Sequence, residues 1–238
     1  MSMFPNTQSR PIELDYGTDD RVVFNFFNAV YAWMAVGLAL TATVAYLMSR
    51  IPQVMQVFWG RGASVAVLLG LALLAYSIRA SAHKINVGVA TALFLLYAAL
   101  IGAILSWIFL VYSIETIGAS FFMTAGVFAG MSVYGFVTKR DLTKIGSVLI
   151  MCVWGLFLAT IVNIFLANNA LSWIITYAVL AVFIGLTAYD TQMLKEIAQR
   201  TRGDAKLAAR YAIVGSLNLY VDFINMFLSI LRIMGSRR

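Results

Sequence analysis

Ten acidic residues occur in this 238-residue chain, and the chemistry open to each depends on where it falls. Glu13, Asp15, Asp19 and Asp20 stand in a polar N-terminal stretch, and Glu115, Asp141, Glu196 and Asp204 in short polar segments between apolar runs. Only Asp190 and Asp222 lie within the runs themselves. An ionisable group near the middle of a membrane-crossing helix costs at least ~2.5–3.5 kcal/mol on insertion scales, so it turns toward a bundle interior, a wet cavity or a partner. Around Asp222, the residues Gly215, Asn218, Asp222, Asn225 and Ser229 recur at intervals of three and four, which places them on one helix face. Thr187, Asp190 and Thr191 form a shorter polar group in the preceding run. Two carboxylates sharing one site cannot both ionise cheaply, so at least one keeps its proton near neutral pH. Protonated, such a pair can hydrogen-bond and draw its helices together. Ionised, it repels, or binds a cation through hard oxygen ligands of the kind Ca²⁺ prefers. The plainer reading of Asn218, Asn225, Ser229 and Thr187 is that they join helices by hydrogen bonds.

Other chemistries find fewer residues. Arg79, at the end of the second apolar run, either snorkels its guanidinium to the interface or leans inward as a counter-charge to the aspartates. His83 is the only histidine, and neither Gly118-Ala-Ser-Phe nor Ser216 sits in a nucleophile-elbow pattern. No histidine and carboxylate cluster has zinc-ligand spacing, and no Gly-rich loop with a lysine suggests nucleotide. The lone Cys152 supplies no disulfide framework. The expectation is a protein that is not an enzyme and holds no resident cofactor, with Ca²⁺ at most transported or transiently bound at Asp190 and Asp222.

The elements that position these residues follow from composition. Hydrophobic residues make up 62% of the chain and charged ones 11%, against roughly 45–50% and 25% in soluble domains. A bilayer supplies no water to peptide groups, so a chain that crosses it must be helical or a closed barrel, and these runs lack the alternation of barrel strands. About 20 apolar residues span roughly 30 Å of hydrocarbon. Seven such runs are predicted, Phe24 to Met48, Ala63 to Ala80, Ile85 to Leu110, Ile117 to Val137, Ile145 to Leu166, Leu171 to Leu194, and Tyr211 to Ile233. The fold class is therefore an all-α integral membrane protein, a seven-helix transmembrane domain over residues 24–234. Residues 1–23 form a polar, mostly disordered tail without signal-peptide character, and residues 235–238 a short basic one. The formal net charge of +7 is dispersed between apolar runs, which argues against nucleic acid as a partner and for the lipid bilayer.

Orientation follows the lysine and arginine bias of the loops. With the N-terminus cytoplasmic, twelve of the 17 basic residues fall inside, and Arg50, Arg61, Arg232, Arg237 and Arg238 outside. A six-span arrangement with a re-entrant last segment would return the basic C-terminal end to the inside. Gly126 with Gly130 and Ala35 with Ala39 have helix-packing spacing and read as tight bundling rather than as a dimer seam. Lys195 to Arg210 could prolong the sixth helix until Gly203 breaks it. Depth sets one condition. Asp190 lies about 7 Å from Lys195 along its helix, while Asp222 sits near mid-helix. For the two to meet, the seventh helix must begin nearer Gly215 than Tyr211, or the sixth must run well past the membrane surface.

Several long stretches resemble the Bax inhibitor-1 family, its bacterial branch in particular. They are Tyr31-Ala-Trp-Met-Ala-Val-Gly-Leu-Ala-Leu-Thr-Ala, Ser120-Phe-Phe-Met-Thr-Ala, Tyr134-Gly-Phe-Val-Thr-Lys-Arg-Asp-Leu-Thr, Gly185-Leu-Thr-Ala-Tyr-Asp-Thr-Gln and Leu219-Tyr-Val-Asp-Phe-Ile-Asn-Met-Phe. The resemblance implies seven helices with the last enclosed by the others, a bacterial inner-membrane location, and a pH-sensitive calcium leak gated by an aspartate pair that falls here on Asp190 and Asp222. It also places a second-span arginine of the bacterial members on Arg79. A different role implied for bacterial members is modulation of a membrane-bound AAA protease through protein interaction, which needs no conduction.

Overall fold

The computed structural model describes residues 16–51, 61–80 and 86–235. Every regular element among them is a helix: α1 (Tyr16–Met48), α2 (Arg61–Ala80), α3 (Val87–Leu105), the short α4 (Ile108–Val111), α5 (Ile114–Val137), α6 (Thr143–Leu166), α7 (Asn169–Arg200) and α8 (Ala205–Met234). Pro5, Pro11 and Pro52 all fall outside these helices, so no missing amide or proline ring interrupts them. Four of their starts are set by side chains that accept from otherwise orphaned amides. Asn86 caps Val89 N–H, Ser113 caps Thr116, Asn168 caps Leu171 and Asp204 caps Leu207.

Among the described residues, six segments are long and apolar enough to cross a membrane, with α3 and α4 counted as one interrupted segment, Val87–Val111. The helix α2 has 20 residues, of which Leu69–Arg79 form a shorter apolar stretch. The expected spans are all present as helices, mostly with earlier starts. The first begins at Tyr16 and takes in the end of the expected tail; residues 1–15 and the tail residues 236–238 lie outside the described set, as does His83. The third is broken at Ser106 and Trp107, where the helical ladder gives way to a turn. The C-terminal segment is one unbroken helix of 30 residues, not a re-entrant hairpin.

The most buried of the candidate spans is α8. It touches α1, α2, α3, α5 and α7, and 78% of its most apolar stretch is buried. By contrast α6 touches only α7 and α2 at any length, and none of its most apolar stretch is buried. Close approach comes from glycines other than those the spacing suggested. A Cβ on Gly135 would collide with the Ala188 backbone, one on Gly102 with the Thr41 carbonyl, and one on Gly146 with the Tyr189 ring. Gly126 and Gly130 have nothing within 4 Å of such a Cβ, and Ala35 and Ala39 are exposed. The reading of those pairs as bundle contacts is corrected: helix spacing alone does not say which face of the helix meets the bundle.

Candidate functional site

The helices α7 and α8 form a hairpin closed by residues 201–204, where Gly203 takes φ +91°. That left-handed turn suits glycine, which has no Cβ to oppose it. The register is fixed where a Cβ on Gly215 would meet the Leu194 side chain. From that level Asp190 lies about 6 Å up α7 and Asp222 about 10 Å up α8, at 1.5 Å per residue. The two aspartates therefore sit within about one helical turn of each other in depth. Of the two ways they could meet, the helix carrying Asp190 runs on, to Arg200. Asp190 is 7% exposed and Asp222 2%. The Asp222 carboxyl is within Coulombic range of both the Asp190 carboxyl and the Arg79 guanidinium, and Arg79 is equally within range of Asp190 and of the Tyr97 phenol. Arg79 itself is exposed at the end of α2, and among the described residues no ion pair joins it to either aspartate.

Hydrogen bonding separates the stripe into two kinds of residue. Thr187 Oγ1 donates to Phe183 O at 2.8 Å, Thr191 Oγ1 to Thr187 O at 2.7 Å, Asn225 Nδ2 to Val221 O at 2.8 Å, and Ser229 Oγ to Asn225 O at 2.9 Å. Each donor turns back onto its own helix, so these hydrogen bonds do not join helices. Asn218 Oδ1 and Asp222 Oδ2, one turn apart on α8, are buried without any hydrogen-bond partner. A buried acceptor left unmade costs about 1–3 kcal/mol, and more when charged. Two such oxygens one turn apart, with the Asp222 carboxyl in Coulombic range of a second carboxyl, form a place that favours a proton, a water or a cation. Among the described residues no three of His, Cys, Asp and Glu come together as a metal cage. A cation there would rest on the two carboxylates and amide oxygen.

Residues that sequence reasoning passed over hold the surrounding helices. Thr41 of α1 donates to Ala98 O of α3 at 2.9 Å and shares a 2.6 Å hydrogen bond with the Tyr220 hydroxyl of α8. The Tyr220 ring meets Phe94 and Tyr97 edge-on. Gln192, two residues beyond Asp190, accepts from Leu142 N–H at 2.9 Å and donates to Arg140 O at 2.8 Å, binding the α5–α6 connection to α7. Lys195 Nζ donates to Phe136 O at 2.9 Å and so satisfies a carbonyl in the last turn of α5. A polar residue just past an intramembrane aspartate was the available signal for Gln192. The Thr41–Tyr220 pair, 179 residues apart, left none.

A bundle of membrane-length helices with an acidic pair in its interior defines a multi-span helical membrane protein. The model of the family described as "Inhibitor of apoptosis-promoting Bax1" matches residues 23–238, and the chain belongs to this Bax inhibitor-1 family. It is 46% identical over 216 residues to the Escherichia coli (strain K12) protein named inner membrane protein YbhL, covering 90% of this chain and 92% of that one. An uncharacterized protein of Borreliella burgdorferi is 41% identical over 229 residues, 95% and 99% of the two chains. An uncharacterized membrane protein of Streptococcus pyogenes serotype M1 is 32% identical over 229 residues, 92% and 96%.

Proposed function

We propose that this protein is a passive, pH-sensitive calcium leak in a bacterial inner membrane, with its N-terminus cytoplasmic, seven crossings, and α8 enclosed by the other helices. The observation that carries the reading is the partnerless Asp222 Oδ2, buried in the bundle within Coulombic range of Asp190 and one turn from a second partnerless oxygen on Asn218. Protons and a divalent cation compete for the same oxygens. When the pair shares a proton, α7 and α8 are drawn together. When it loses that proton, the like charges repel and a cation binds in passing. Arg79 supplies a positive charge within Coulombic range of both carboxyls. The name of the Escherichia coli relative, inner membrane protein YbhL, supports the membrane assigned.

Reconstitution into vesicles loaded with a calcium dye tests this. Flux through the wild type rises as the pH is raised through neutrality, and the profile flattens in Asp190→Asn and Asp222→Asn. Equal flux and equal pH dependence in all three would refute the leak. Retained control of a membrane protease by the same variants would then favour the interaction role.

A further inference from the structure

A second site lies at the end of the bundle opposite the α7–α8 turn, where a cavity of about 390 Å³ opens between Tyr112, Asn169, Trp173, Arg232 and Gly235. Ligand pockets commonly start near roughly 300 Å³. Each wall comes from a different part of the chain. Tyr112 ends α4, Asn169 and Trp173 begin α7, and Arg232 and Gly235 end α8. The Arg232 guanidinium lies over the Trp173 ring, 5.4 Å from its centroid. A cation over an aromatic ring is attracted to its face and can still offer N–H groups to a ligand. Among the described residues Arg232 has no hydrogen bond or ion pair, and no carboxylate lines the cavity. Gly235 closes one side so tightly that a Cβ there would enter the Tyr112 ring. Asn169, the first residue of a 32-residue helix, brings the positive end of the helix dipole to the same space.

The geometry points to a phosphate-binding pocket, in which the Arg232 fork grips a phosphate oxyanion between Trp173 and the start of α7. Guanidinium and phosphate match in charge and in the spacing of two parallel hydrogen bonds. This chemistry has two sources, the headgroup of an anionic lipid and a free phosphate. The site is about 15 Å along α8 from Asp222, at 1.5 Å per residue, and stands or falls independently of the leak.

Two probes separate the sources, applied to the full chain in detergent. Native mass spectrometry reads retention of dioleoylphosphatidylglycerol against dioleoylglycerol, which lacks the phosphate. Thermal melting reads stabilisation by inorganic phosphate. The wild type is expected to retain the phosphatidylglycerol and release the diacylglycerol, with affinity falling at least about tenfold in Arg232→Gln. Arg232→Lys keeps charge and stem but loses the fork and the stacking, and is expected to weaken binding severalfold while folding normally. Lys206→Gln, at the other end of α8, leaves binding unchanged. Retention of lipid alone assigns the pocket to a headgroup, and added stabilisation by inorganic phosphate extends it to the free anion. Neither probe binding, or equal binding by the wild type, Arg232→Gln and Arg232→Lys, overturns the proposal.

Discussion

The helices α6 and α8 invert the rule of soluble proteins. Of the two, α6 is the more apolar and has none of its most apolar stretch buried, while α8 carries Asn218, Asp222, Asn225 and Ser229 and has 78% buried. Lipid is the reason. In a bilayer the solvent is itself hydrocarbon, so side chains such as Met151, Trp154, Leu158 and Phe165, all more than half exposed, meet tails as readily as they would meet protein. Polar groups are what must be hidden. Hydrophobicity therefore reports contact with lipid, and burial has to be read from polar spacing and close packing.

The contrast can be broken most forcefully by truncation. Leu219→Ala on α8, at a fully buried site, should lower stability by about 2–5 kcal/mol. Leu158→Ala on α6, 60% exposed, should change it little, since lipid fills the space. Denaturant-titrated unfolding in mixed micelles measures both, and equal losses would show that α6 is packed after all. Glycines give the next largest effect. Gly135→Ala drives a Cβ into the Ala188 backbone and should cost about 1–3 kcal/mol. Gly155→Ala on α6 meets nothing within 4 Å and should be neutral or gain up to about 1 kcal/mol from helix propensity.

Smaller still is Thr41→Val, which leaves the Tyr220 hydroxyl without its 2.6 Å partner and should cost about 1–2 kcal/mol, with faster hydrogen exchange along α1 and α3. Least of all is Asp141→Asn in the α5–α6 connection. Hydrogen bonds from the Thr143 side chain and backbone hold the exposed Asp141 carboxyl below the usual carboxylate range. Its contribution is present above that ordinary range and is lost as the pH falls through its lowered value. The variant should melt slightly below the wild type at neutral pH and coincide with it in strong acid. A constant gap at every pH would mean that the charge plays no part.

The helices were legible because apolar length is a local property, and the burial of Asp190 and Asp222 because a carboxylate inside such a run is costly wherever it ends up. The continuation of α7 to Arg200 was legible for the same reason, as Lys195, Glu196 and Arg200 favour helix and Gly203 ends it. What resisted reading was direction around the helix axis. Gly126 and Gly130 share their spacing with countless packed pairs, yet they face out. Gly135 and Gly146 make the close approaches without any companion glycine one turn away. The partners of Thr41, Gln192 and Lys195 were hidden too, because each lies on another helix and depends on how the bundle turns.

The depth of α8 bears on how the protein is made. During synthesis N-terminal segments are exposed first, so α1, α3, α5 and α7 enter the bilayer before the helix that each of them touches. Until α8 arrives, the surfaces that pack against it, including the face of α7 that carries Asp190, lack that partner. The hairpin turn at residues 201–204 delivers α8 directly beside α7. An α7 without α8 packed against it would carry the Asp190 carboxyl stripped of the helix that helps to cover it.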